Sequence, residues 1–251
     1  MAQSLPLAHA MPSAAFVTLT EDPKKVGWKL FSPAKLAELG IKPLRPDSAE
    51  VALGTAEFVF VYCGQFRYPE TQVGFVFGTR LERDRNPDCL ASPFDTGALH
   101  RKVTWPAPSE PATSFLARHT LPVPRYREYL ANRIQFLFAK PTDYVALSGQ
   151  PLRPDPIGLQ PKPPATGNDP RLWTFEIRVR NEVELSPPCL EAVFYQGRHA
   201  GARSVRDFFA ARTGSVQLEE VFPEDDGDFA ALQRGCLDFL RKKGIIPTSG
   251  V

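Results

Sequence analysis

The chain is poor in cysteine, and its cysteines are scattered. Cys63, Cys89, Cys189 and Cys236 are the four in 251 residues, with no C-x-x-C or other close pair, so the spacing predicts no metal site and leaves free thiols as the expectation. Long apolar runs are missing too. The longest, Phe58 to Cys63, is far too short to span a bilayer, and no membrane association is expected. Nor is there a surplus of charge of one sign. Thirty basic against twenty-eight acidic side chains give a net charge of +2, and this balance does not indicate a nucleic-acid binder. Met1 to Phe16 holds no Lys or Arg and is interrupted by Pro6 and Pro12, which predicts no secretory signal and a cytoplasmic protein. Histidine is scarce as well. His100, His119 and His199 have no visible Cys, Ser or paired-carboxylate partner, so nucleophilic catalysis is not supported.

What is present describes a globular protein. Hydrophobic residues make up 43% of the chain and charged residues 23%, enough to bury a sizeable core. Ser32-Pro33 and Gly40 punctuate a short helix over 33–39, with a serine cap, a proline at the first turn and a glycine exit. Phe58 to Cys63 reads as a strand covered on both faces, with Val73 to Phe77 as its expected pairing partner. Apolar residues at Tyr126, Tyr129, Leu130, Ile134, Leu137 and Phe138 predict an amphipathic helix ending at Pro141. Trp173, Phe175, Ile177 and Val179 alternate with Thr174, Glu176, Arg178 and Arg180, the pattern of a half-buried strand with a solvated polar face. Leu190 to Tyr195 is its expected neighbour. Ser204 to Ala211 reads as a short serine-capped helix and Asp228 to Lys243 as a terminal one.

Without regular βαβ alternation, this order predicts an α+β fold: a mixed, mostly antiparallel sheet with flanking helices and a proline-rich insertion. Residues 1–15 are expected to be flexible, 16–247 to form one domain, and 248–251 to be a tail. Seven prolines fall between Pro151 and Pro170, which predicts an extended loop that could dock a protein partner.

Three constellations carry candidate chemistry. Tyr62, Gly64, Arg67 and Tyr68 place aromatic rings and a guanidinium at a strand end, suited to stacking a planar ring and clamping a phosphate, or simply to a core edge with a surface cation. Phe94-Asp95-Thr96-Gly97-Ala98 looks like the active-site turn of aspartic proteases, which needs a second such turn or a homodimer; the plainer reading is a turn in which Asp95 holds its own backbone and Gly97 supplies a positive φ. Glu176 is the best-placed carboxylate of its strand if that face lines a cleft, whereas cross-strand ion pairs in solvent explain the pattern otherwise. The acidic run from Glu219 to Asp228 reads as a turn preceding the last helix.

The order of an N-terminal strand and short helix, a strand ending in Tyr-x-Gly-x-x-x-Tyr, a Phe-Asp-Thr-Gly turn and a late Phe-Glu-Ile-Arg-Val strand resembles a family of poorly characterised bacterial proteins reminiscent of the ADP-ribosyltransferase fold. The resemblance spans residues 15–195. It implies an ADP-ribosyltransferase or NAD glycohydrolase with NAD as substrate, bound in a cleft between two strand systems. Tyr62 or Tyr68 would stack on nicotinamide, Glu176 would stabilise the oxocarbenium-like transition state, and Gly64, Arg67, Asp95, Thr96 and Gly97 would line the cofactor site. The triad histidine has no counterpart in the expected first strand, Phe16 to Thr20, and His9 lies outside it. The alternative is a non-catalytic protein- or ligand-binding module.

Overall fold

A computed structural model describes residues 1–11, 15, 29–41, 48–67, 71–85, 88–147, 151–162, 172–211, 216–222 and 230–248. Helices flank sheets that are mostly antiparallel with some parallel pairing, an α+β architecture. Strands β1 (Leu7–Met11), β2 (Phe58–Cys63), β3 (Val73–Phe77), β4 (Cys89–Ser92), β5 (Leu121–Pro122), β6 (Glu176–Arg180), β7 (Leu190–Gln196) and β8 (Gln217–Val221) carry the sheets. Helices α1 (Pro33–Glu38), α2 (Thr96–Arg101), α3 (Ala112–His119), α4 (Val123–Leu137), α5 (Ala200–Ala210) and α6 (Ala231–Lys242) cover them. The chain divides into two compact units, one of residues 1–3, 31–63 and 85–182, the other of 4–30, 64–84 and 183–251.

In the first unit the strand order is β5-β4-β6-β2, antiparallel throughout. The sequence explains the centre of this sheet. On one face Val61, Ile177 and Ala91 stand side by side, fully buried. Burial of a side chain the size of Val61 or Ile177 contributes roughly 1.5–3 kcal/mol. Strand β2 pairs with β6 and not with Val73 to Phe77 as expected, because the long-range match of two buried ladders decides the partner. At the ladder's end the Tyr144 hydroxyl donates to the Cys63 carbonyl at 3.0 Å and accepts the Phe175 amide at 3.2 Å. Helix α1 has the expected capping: Ser32 accepts the Lys35 amide at 3.2 Å and Gly40 exits at φ 66°. Helix α4 buries Tyr126, Leu130, Ile134 and Leu137, with Tyr129 left partly exposed.

The proline-rich insertion is less loose than its composition suggests. Over 151–162, Leu152 donates to the Leu137 carbonyl at 2.7 Å, Ile157 and Leu159 are buried, and Gln160–Pro161 pairs with Val103–Thr104. Apolar residues between the prolines hold this part down. Residues 163–170 lie outside the described ones.

In the second unit the order is β8-β7-β3-β1, with β7 and β8 parallel and the rest antiparallel. Leu190 to Gln196 thus neighbours β3 and β8 rather than the Glu176 strand. The expected flexible N-terminus is ordered over its first eleven residues. Leu5, Leu7 and Ala8 are fully buried and β1 runs in register with β3, while in the first unit Arg127 donates to the Ala2 carbonyl at 2.8 Å. His9 therefore sits on a strand, stacked on Phe75 at 6.4 Å; the expected strand Phe16 to Thr20 lies outside the described residues. Glu219 and Glu220 belong to strand β8, not to a turn. Helix α5 starts at Ala200, before Ser204, so that serine is no cap.

Candidate functional site

Strand β6 carries charge on the face opposite Ile177 and Val179, and the structure buries that face. Thr174, Glu176 and Arg178 are 0%, 1% and 4% exposed, which corrects the expectation of a solvated surface; Arg180, at the strand end, is exposed and pairs with Glu57. Antiparallel register places directly opposed side chains on one face. Tyr62 and Ser92 flank Glu176 in one row, and Phe60 and Leu90 flank Arg178 in the next.

The turn after β4 closes over this row. Asp95 caps α2, its side chain accepting the Ala98 amide at 3.2 Å. Because that carboxylate folds back on the helix start, Thr96 faces β6. Its amide donates to Glu176 Oε2 at 3.2 Å and its hydroxyl donates to Oε1. Gly97 does not take the expected positive φ. It is a helical residue, and a Cβ there would stand 3.3 Å from Asp95 Oδ1. A side chain there would have to displace the capping carboxylate by a few tenths of an ångström.

Electrostatics follow from burial. Removal from water pushes the Glu176 carboxyl up to about 8, and the charge of Asp95 pushes the same way; the Thr96 hydrogen bonds and Arg178 oppose this with less effect. Arginine cannot deprotonate in a protein, so the cluster holds one fixed positive charge and two carboxyl groups. A neutral Glu176 leaves it balanced. Arg178 donates to the Thr120 hydroxyl at 2.8 Å, which in turn donates to the Leu116 carbonyl at 2.8 Å, and its guanidinium lies 5.5 Å from the Phe58 ring centroid. Among the described residues, Ser92 Oγ and Arg178 Nε are buried here without a hydrogen-bond partner. Such orphans are few in folded proteins and each has a cause, a bound water or a functional role among them.

The sequence-predicted residues separate. Glu176, Tyr62, Asp95, Thr96 and Gly97 all belong to the first unit, and the first four are buried. Gly64 and Arg67 belong to the second unit. There Gly64 turns the chain at φ 96° and donates to the Pro6 carbonyl at 2.8 Å, and Arg67 is 4% exposed. In that unit burial pushes the Cys236 thiol up to about 12, against weaker opposing effects of the Phe66 backbone and Arg67. Such a thiol is inert at neutral pH. Tyr68 lies outside the described residues. Sequence reasoning missed Ser92, Arg178 and Thr120 as members of the cluster. The available signal was the serine three residues before Asp95, a polar residue ending an otherwise apolar strand.

Arg133 braces the turn from behind. It is 4% exposed, donates to the Pro93 carbonyl and to the Asp155 carboxylate, and reaches the Leu172 carbonyl at 3.2 Å. Among the described residues no cluster of three or more His, Cys, Asp or Glu side chains could hold a metal ion. No described helix is long and apolar enough to cross a membrane. The chain matches no protein-family model and no curated protein.

Proposed function

We propose that this protein is ADP-ribosyltransferase-like and acts on the N-glycosidic bond of NAD, with Glu176 as the carboxylate at the reacting ribose. The observation that carries the reading is the Glu176 carboxyl, 1% exposed and raised to about 8, in register between Tyr62 and Ser92. Strongly perturbed carboxyls of this kind cluster at functional sites. The choice of NAD comes from the sequence resemblance.

The chemistry asks little of a proton. The bond from the ribose anomeric carbon to nicotinamide nitrogen breaks, its electron pair leaves with neutral nicotinamide, and positive charge gathers on the ribose. A carboxylate beside that carbon stabilises the charge most in a site that excludes water. An acceptor or water then bonds to the same carbon and gives up its proton. Glu176 is neutral in the free protein and must ionise to act, so binding a cationic nicotinamide releases a proton. Ser92 Oγ offers a ribose hydroxyl its unused hydrogen-bonding capacity, and Tyr62 is the ring next to the carboxyl. The Asp95 to Gly97 turn covers the row, with Gly97 its exposed member.

Calorimetric titration of the full chain with NAD tests this directly. Binding should release a proton, seen as a heat that depends on the ionisation enthalpy of the buffer, and Glu176→Gln should abolish both the buffer dependence and nicotinamide release. No heat at millimolar NAD overturns the reading.

A further inference from the structure

A cavity of about 390 Å³ opens elsewhere in the first unit, where the end of α4 meets the proline-rich insertion and the chain entering β6. Its walls mix polar and apolar surface, with Leu137, Leu152, Leu159, Leu172 and Trp173 as the substantial apolar side chains. Two charged residues join them, Arg153 and Asp155. Their situations differ in a way that decides what the cavity can take.

Asp155 is spent. Its carboxylate accepts from the buried Arg133 guanidinium and from the Ile157 amide, the latter at 3.0 Å. Arg153 is not. Its guanidinium lies 5.2 Å from the centroid of the Phe136 ring and has no carboxylate or carbonyl partner among the described residues. Trp173, 5% exposed, packs edge-on to Phe138, and its indole N–H has no acceptor among the described residues. The cavity therefore offers a cation and a neutral donor, with its one negative charge already neutralised inside the wall.

The wall is also preformed. Leu152 is tied to Leu137 by a backbone hydrogen bond, the Asp155 carbonyl accepts the Gly158 amide at 2.9 Å, and Gly158 at φ 76° presses on Pro106, where a Cβ would come within 2.5 Å of the ring. Prolines 151, 154 and 161 line the same stretch and have little conformational freedom left to lose on binding. A volume near the low end of the range for small-molecule sites suits a single-ring ligand and is small for a dinucleotide.

We propose that this cavity is a binding site for a small organic anion with an apolar body, its anionic head on Arg153 and the Trp173 indole N–H and its apolar part against Leu137, Leu159 and Leu172. The site is distinct from the Glu176 row and stands whether or not the protein acts on NAD.

The test uses the full chain and three probes: benzoate, the neutral benzyl alcohol, and inorganic phosphate. Binding is followed at the indole N–H resonance of Trp173 in ¹⁵N-labelled protein, assigned by its disappearance in Trp173→Phe. Benzoate should shift that resonance saturably, the other two at least tenfold more weakly. Arg153→Gln removes an exposed charge and should leave the fold intact while weakening benzoate about tenfold or more, as loss of a charge-assisted hydrogen bond does. Equal binding of benzyl alcohol, equal binding of phosphate, an unchanged Arg153→Gln variant, or no shift at millimolar benzoate each overturns the assignment.

Discussion

Thr96 gives both of its donors to one carboxyl group: its amide to Glu176 Oε2 at 3.2 Å and its hydroxyl to Oε1. The two residues lie 80 positions apart, one at the first turn of α2 and the other at the start of β6. Helix N-termini present free amides that favour negative charge, yet burial overrides that preference here and keeps the carboxyl protonated at neutral pH. Hydrogen bonding lowers the cost of enclosing Glu176 without erasing it.

Thr96→Val keeps the shape and deletes the hydroxyl. Glu176 Oε1 then loses its donor in a fully buried place, which should cost about 1–3 kcal/mol of stability and push the carboxyl still higher, since the lost bond favoured its charged form. Urea unfolding compared with wild type reads the first effect. A variant as stable as wild type would mean the hydroxyl contact contributes nothing.

The raised carboxyl also fixes a pH dependence of folding. Glu176 goes from its ordinary value of 4.5 in the unfolded chain to about 8 in the folded one. Between those values the folded chain keeps a proton that the unfolded chain has released. The associated stability is fully present below the lower value and is lost as pH rises through the upper one, at up to about 1.4 kcal/mol per pH unit. Glu176→Gln has no proton to lose, so its unfolding free energy should decline less steeply over that window. Denaturant midpoints collected across the window for both proteins provide the check, and parallel curves would refute it.

The fold could be read in part because several segments are locally self-consistent. The cap and exit of α1, the apolar stripe of α4 and the continuous apolar run of β2 each follow from neighbours in sequence. Strand pairing does not. Whether Phe58–Cys63 lies beside β3 or β6 depends on contacts between distant residues, and two strands of similar character compete for the same place. The alternation of β6 was legible, but its polar face was expected in water, where Glu and Arg usually reside. Nothing near Glu176 in sequence announces Thr96 or Thr120, the hydroxyls that make burial of that face tolerable. Leu7 to Met11 shows the same limit: a short segment broken by prolines on either side gives little periodicity, and only its register with Val73 to Phe77 makes it a strand.

The second unit offers a packing test free of electrostatics. Gly74 on β3 lies beneath Phe66, which is fully buried and meets Phe194 edge to face at 5.5 Å. A Cβ on Gly74 would stand 2.4 Å from the tip of that ring, so Gly74→Ala should destabilise the protein by about 1–3 kcal/mol through overpacking. Phe66→Leu makes room and should recover part of that loss in the double variant. Strictly additive costs in the cycle would show that the ring is not what the new methyl meets.

The capping residue separates the structural from the electrostatic role of the Asp95 turn. Asp95→Asn keeps a side-chain oxygen to accept the Ala98 amide, and asparagine caps helices as well as aspartate does. What it removes is the negative charge that helps to hold Glu176 protonated. The Glu176 carboxyl, followed by ¹³C chemical shift, should therefore titrate below its wild-type midpoint of about 8, yet stay above 4.5 because burial, the larger cause, is untouched. Asp95→Ala should lower the midpoint in the same direction and, having lost the cap, also cost about 1 kcal/mol of stability. If Asp95→Asn leaves the midpoint where it was, Asp95 is only a cap and its charge has no part in holding Glu176 protonated.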